Sequence, residues 1–361
     1  MLGGTIRARG ATQGVSGGIY LLVFTVAAAG ALAATPLAGR LGRALGLVDR
    51  PGGRRRHQGE VPRLGGIGPA VGFFVALGAA FLTGALTQGY SANDALRLRG
   101  LWVGGLAALL FGLLDDRFDL APRAQLLLQT ALGAIAVGTL LWLERFTLPV
   151  LGYVELDDYA WGAFVYIPLT LFWTVGMINT VNWLDGLDGL AGGVGAIVCL
   201  VLAVHMHRVG QGAVALLPLA LCGALAGFLP YNLAPARVFL GSGGAYFLGY
   251  ALAGLGLIAG GRIATVLLVL AVPIVDVLWQ IVDRLRAGRS AAQADRGHLH
   301  YRLLDRGLSQ RTIVALYWGL CAVFGVLALT VSSRIVKLLT LAAIALAVIG
   351  VLALLSRRRG R

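Results

Sequence analysis

Three observations predict an all-α, polytopic membrane protein for this 361-residue chain. It is 58% hydrophobic and only 13% charged, with a mean hydropathy of +0.82. A water-soluble globule carries a smaller apolar share and about twice the charge. The apolar residues gather in runs of a length that can approach the thickness of a bilayer. The cationic residues, which give a net charge of +14, lie in short loops between those runs. There the positive-inside rule accounts for them, and nucleic acid is excluded as a partner. Cys199, Cys222 and Cys321 all lie inside apolar runs without C-x-x-C or Cys/His spacing, so neither disulfides nor zinc are expected.

Taken in order, the runs cover residues 19–37, 68–86, 100–114, 124–143, 161–178, 190–206, 212–229, 245–259, 263–282, 312–331 and 335–355, about eleven transmembrane helices. The small residues ALAAT at the end of the first could pass for a signal-peptide cleavage site. Against this, Arg40, Arg43, Arg50, Arg54, Arg55, Arg56 and Arg63 follow at once and hold that side in the cytoplasm. Loops after odd-numbered spans, with the C-terminal tail, carry 21 of the 30 Lys and Arg residues, which puts the N-terminus outside and the C-terminus in the cytoplasm. Residues 145–159, acidic and aromatic with Pro149 and Gly152, then form an external loop able to close as a short hairpin. With no soluble domain, long linker or fixed-period repeat, residues 1–361 read as a single integral-membrane domain.

Each of the five internal cytoplasmic loops carries a polar cluster. The first, residues 49–68, combines the cationic run Arg54 to His57, able to hold phosphates, with Pro62, Gly65 and Gly66, which shape a tight re-entry into the next span. A topology signal that also touches anionic lipid is the simpler reading of those arginines. The second is the pair Asp115 and Asp116 at the end of the third span. Adjacent carboxylates at a membrane edge repel unless a cation or proton is shared between them, and magnesium with oxygen ligands, water and substrate phosphates suits such a pair. A turn or helix-terminus role with Arg117 competes.

The third cluster, residues 179–193, reads NTVNWLDGLDGLAGG. Asn179, Asn182 and Asp185 recur every three residues, within about a third of a helix's circumference, before Gly186 and Gly189 break it; Asp188 follows. These oxygen donors suit a magnesium or nucleotide site, although amides can also join helices to one another. In the fourth, residues 231–249, Asn232, Pro235, Phe239 and a glycine-rich entry to the eighth span could form a shallow pocket, with Phe239 stacking on a base; a glycine-rich bend that packs helices is an equal competitor. The fifth, residues 283–307, alternates His298 and His300 beside Arg296 and Arg302, which can bind phosphate oxygens. No cysteine or third histidine in that loop completes a zinc site.

Occurring together and in this order, these motifs over residues 50–307 resemble those of the polyprenyl-phosphate N-acetylhexosamine-1-phosphate transferases, a superfamily that includes the peptidoglycan translocase. The resemblance implies transfer of a sugar 1-phosphate from a UDP-sugar to polyprenyl (undecaprenyl) phosphate at the cytoplasmic face of the bacterial inner membrane, with release of UMP and the start of a cell-envelope glycan. It implies Mg2+, replaceable by Mn2+, and admits a homodimer. Carried over by motif, Asp115, Asp116 and His298 are catalytic, and Asn182 with Asp116 faces the metal. Asn179, Asp185, Asp188, Asn232, Phe239, Arg296, His300 and Arg302 bind substrate.

Two positions depart from the pattern. The family's Phe-x-Gly-Asp-x-Gly-Ser motif here runs Phe239 to Ala245 with Ser242 in place of the metal aspartate, and the last position of His-x-His-His is Tyr301. A neutral hydroxyl is a far weaker magnesium ligand than a carboxylate, so a slow or silent lipid- and nucleotide-binding member is the alternative. A transporter would place charges near mid-span in duplicated halves; here the clusters sit at span ends and are not duplicated.

Overall fold

The computed structural model describes residues 15–50, 59–86, 91–143, 145–148, 152–156, 159, 161–258, 263–290 and 297–357. Arg54, Arg55, Arg56, His57, Pro149 and Arg296, named above, lie outside the described residues. The described helices are α1 (Gly17–Ala44), α2 (Ile67–Leu82), α3 (Ala92–Phe118), α4 (Pro122–Gly138), α5 (Ala163–Leu184), α6 (Leu190–Arg208) and α7 (Gly212–Asn232). They continue with α8 (Gly241–Ile258), α9 (Ile263–Val269), α10 (Ala271–Arg286), the short α11 (Leu299–Leu304), α12 (Gln310–Thr330) and α13 (Arg334–Arg357).

Among the described residues nine helices are long and apolar enough to cross a membrane, so the chain is a multi-pass membrane protein. The remaining two expected spans differ from simple crossing helices. α4 has 17 residues, and the ninth apolar run is split into α9 and α10, which meet at 81°. Helices make up nearly all the regular structure, with two small additions. Strands β1 (Val48–Asp49) and β2 (Val61–Pro62) pair antiparallel, as do β3 (Arg145–Leu148) and β4 (Gly152–Glu155). The second hairpin falls where the external loop was expected to close. The first departs from the all-α expectation; Arg63, just after β2, donates to Asp49 Oδ1 at 2.7 Å and ties its two strands together.

α8 is the core of the bundle. The described α8 window is 83% buried, against 11% for α13 and 28% for α1. Its sequence, GSGGAYFLGYALAGLGLI, explains the placement, since small residues let neighbouring backbones approach closely where lipid supplies no hydrophobic drive. α3 and α5 pack on it, and the polar ends of α3, α5 and α7 meet the N-terminal ends of α6 and α8. An amide pair joins two helices close to that end: Asn179 Nδ2 donates to Gln129 Oε1 at 2.6 Å, linking α4 to α5.

Candidate active site

The site forms around the first turn of α8, where backbone N–H groups have no partner inside the helix and attract negative charge. Asp116, in the last turn of α3, points both carboxylate oxygens at that turn: Oδ1 accepts from Ser242 N–H at 3.0 Å and Oδ2 from Gly243 N–H at 2.9 Å. Asp185, just past α5, accepts from Gly241 N–H. Burial pushes the Asp185 carboxyl up to about 8, with the charges of Asp116 and Asp188 adding to the push and the Gly241 bond opposing it. Two carboxylates thus share one helix terminus, with the Asp188 charge close enough to act on Asp185.

A backbone strap closes one side of the site. Phe239 N–H donates to Pro62 O at 2.9 Å, Gly65 N–H to Phe239 O at 3.0 Å and Gly66 N–H to Leu240 O at 2.9 Å. The first and fourth clusters are therefore one structure, and the half-buried Phe239 ring stands on it. Asp188 Oδ2 accepts from Ala236 N–H at 2.9 Å, and Asn232 Oδ1 accepts from Gly189 N–H at 3.1 Å while its Nδ2 donates to Val238 O at 3.1 Å. Asn232 is buried with both amide atoms used inside the chain, so it shapes the 232–239 loop rather than facing a ligand. Asn182 is half-buried and has no hydrogen bond among the described residues, which leaves its amide for a ligand.

The histidine loop packs against the turn that follows α5. A Cβ at Gly186 would stand 2.5 Å from His300 Nε2 and 2.7 Å from the Tyr301 hydroxyl, so only glycine lets the turn lie this close. His298 and His300 are buried, with rings 5.7 Å apart and 9° from parallel, and Trp183 lies 5.7 Å from His298. A narrow cleft lies between Thr180, Trp183, Pro273, Asp276, His298 and His300.

The structure separates residues that the sequence treats alike. Asp115 is buried, its Oδ1 accepting from Leu120 N–H at 3.2 Å and Gln125 Nε2 at 2.9 Å, so it secures the turn from α3 to α4 while Asp116 faces α8. Asn179 is taken by Gln129. Arg302 turns inward to Gly297 O and Ser356 Oγ and anchors the loop to α13. Two residues absent from the sequence-derived set enter the site region. Asp276 pairs with His298, and Arg284 is buried with its guanidinium 5.4 Å from the Trp183 ring. Asp276 had a visible signal, a carboxylate inside an apolar run; Arg284 was hidden among the loop arginines.

No group of three His, Cys, Asp or Glu side chains able to hold a metal occurs among the described residues. The donor chemistry still fits a hard dication bound mainly through water and substrate phosphates, as magnesium commonly is. Asp185 keeps a proton chiefly through burial, with the charges of Asp116 and Asp188 adding to it, and the Asn182 amide is uncommitted. One consequence is measurable without any ligand. Because the folded state keeps the Asp185 proton to about pH 8 and the unfolded state loses it near pH 4, stability falls as pH rises between those values. Asp185→Asn is expected to raise the thermal unfolding midpoint in metal-free buffer, by a margin that grows from pH 5 to about pH 8 and then levels. A margin independent of pH would rule out the buried acid.

A family model described as glycosyl transferase family 4 matches residues 98–260, from α3 to the end of α8. The chain is 30% identical over 324 residues to a probable undecaprenyl-phosphate N-acetylglucosaminyl 1-phosphate transferase of Bacillus subtilis, covering 88% of this chain and 86% of the relative. It is 32% identical over 304 residues to a decaprenyl-phosphate N-acetylglucosaminephosphotransferase of Mycobacterium tuberculosis, covering 76% and 73%. An undecaprenyl-phosphate alpha-N-acetylglucosaminyl 1-phosphate transferase of Escherichia coli is 29% identical over 303 residues, covering 80% and 78%. Identity at this level along most of both chains places the protein in glycosyl transferase family 4, among the polyprenyl-phosphate N-acetylglucosamine-1-phosphate transferases.

Proposed function

We propose that the protein transfers N-acetylhexosamine 1-phosphate from a UDP-sugar to a polyprenyl phosphate at the cytoplasmic face of the bacterial inner membrane, releasing UMP and starting a cell-envelope glycan. The observation that carries this reading is the convergence of the polar loops, with Asp116 and Asp185 on the first turn of α8, Asp188 on the 232–239 loop and His300 beside Gly186 in the turn after α5. The basic bias of the loops at that end supports the cytoplasmic face, and the names of the relatives support the acceptor and the sugar phosphate.

In this reaction a lipid phosphate oxygen attacks the sugar-bearing phosphorus, and the bond to the bridging oxygen breaks, so that UMP leaves with the electron pair. Little covalent work falls to the protein; positioning and charge stabilisation dominate. Asp116 and Asp185 fix the α8 terminus. The strap at 62–66 with Phe239 offers a face for the uracil ring, and the histidine loop offers N–H donors to phosphate oxygens. Asp116, Asp185, Asp188 and Asn182 would hold a magnesium or manganese ion, whose chemistry there is to offset charge on the diphosphate. A partner copy is not required by this arrangement.

Ser242 favours one other reading, a member that binds both substrates without transfer. Purified protein incubated with polyprenyl phosphate and a panel of UDP-sugars is expected to release UMP only when lipid and magnesium are both present. Ser242→Asp, which restores a carboxylate at a position already bonded to Asp116, is expected to raise magnesium affinity about tenfold. Release by the variant alone would make the natural chain a silent member. No release by either would sink the transfer reading.

A further inference from the structure

We propose that Asp276 is the positioning residue of His298: it sets which ring nitrogen carries the proton and leaves the other, Nε2, for the substrate. The starting point is a buried polar stripe on α10. Asp276, Gln280 and Arg284 follow one another at intervals of four, on one helix face, and are 3%, 0% and 1% exposed. The first two grip three consecutive residues at the start of α11. Gln280 Nε2 donates to Gly297 O at 2.6 Å, Asp276 Oδ2 lies 3.0 Å from His298 Nδ1, and Asp276 Oδ1 accepts from Leu299 N–H at 2.8 Å. Each carboxylate oxygen therefore has its own partner.

An ionised carboxylate can only accept, so His298 Nδ1 must be the donor, and in the neutral ring Nε2 keeps its lone pair. The His298 ring lines the cleft shared with Thr180, Trp183 and His300. A buried carboxylate beside Leu184, Pro273 and Val277 is costly unless it is bonded in this manner. A nucleophile, base or phosphate ligand oriented by a third group is a recurrent arrangement in transfer enzymes. The bland alternative is that Asp276 only holds the Leu299 N–H and fixes the loop.

Asp276→Asn separates the two. Leu299 N–H is a fixed donor and will take the asparagine Oδ1, which leaves the Nδ2 donor facing His298 Nδ1. The ring must then accept at Nδ1 and carry its proton on Nε2, the reverse tautomer, with the loop still held. The inference rests on the transfer reading only for what His298 does next, and the tautomer itself is independent of that reading.

The experiment is a 15N-histidine NMR spectrum of the full chain, recorded at about pH 8.5, about two units above the reference histidine value, together with transfer kinetics. His298 is expected to be protonated on Nδ1 in the natural protein and on Nε2 in Asp276→Asn. Transfer should fall about 100-fold in kcat, with the KM for the UDP-sugar changed by less than about threefold. His298→Ala should cost as much, and adding Asp276→Asn to it should cost little more, because one residue acts through the other. An Nε2–H ring in the natural protein overturns the proposal without any variant, as does an unchanged tautomer in Asp276→Asn or losses that multiply in the double variant. A correct tautomer switch in a protein that transfers nothing would uphold the positioning and count against the transfer reading instead.

Discussion

Asp116→Ala is expected to lower transfer by about a thousandfold and to cost about 1–2 kcal/mol of stability, the second figure being that of a lost helix cap. The carboxylate is the acceptor for the N–H groups of Ser242 and Gly243 in the first turn of α8, and its removal leaves those part-buried donors unpaired at the polar end of the bundle. It also withdraws one of the two charges that help keep Asp185 protonated, so the variant should show the Asp185 proton leaving at lower pH. Asp115→Ala is the informative control. Its carboxylate serves the turn at Leu120 and Gln125, and the variant should lose stability while keeping more transfer than Asp116→Ala. Thermal unfolding and initial rates on the two purified variants give the comparison. Equal losses of transfer would show that the α8 terminus is not where the chemistry occurs.

The second large effect concerns backbone rather than charge. A Cβ on Gly66 would lie 2.1 Å from Gly244 Cα and 2.2 Å from Gly244 N, and these are backbone atoms of the most buried helix, with no side chain to move aside. Gly66→Ala is therefore expected to cost about 3 kcal/mol or more, to part the 62–66 segment from Leu240 and to abolish transfer. Gly78, on the α2 that follows Gly66, meets nothing within 4 Å. Gly78→Ala should leave transfer intact and gain up to about 1 kcal/mol from helix propensity. A Gly66→Ala protein as stable and active as Gly78→Ala would mean that the strap is not closely packed.

Much of the architecture was legible because a bilayer imposes simple rules on sequence. Apolar run length located every long helix, although helix ends such as those of α1 and α3 run past the apolar stretches. Polar residues at span ends pointed to one face, and the pairing of β3 with β4 agrees with the turn residues between them. What stayed hidden were partners distant in sequence. Asn179 and Asn182 look equivalent in a motif, yet a glutamine 50 residues away occupies the first and leaves the second uncommitted. Asn232 reads as a ligand until both its amide atoms are found bonded within the loop it shapes. Arg302 reads as a phosphate contact, yet it is held by the last helix. Asp276 was passed over because the apolar run around it was read as a span, although a lone carboxylate there was itself the clue. Composition reports which groups are present; only packing reports which of them are already spent.

The clamp on α8 has a consequence for how this sequence can drift. Position 242 reaches Asp116 through its amide N–H, and every residue except proline supplies one. The same holds for Gly243, and the strap at 62–66 likewise meets residues 239 and 240 through main-chain atoms. At position 242 the side chain can be exchanged while the walls stay where they are, whereas Gly65 and Gly66 on the strap leave no room for a Cβ. An aspartate-to-serine change at 242 is thus structurally silent, and a lineage can alter the charge of its pocket without rebuilding the pocket.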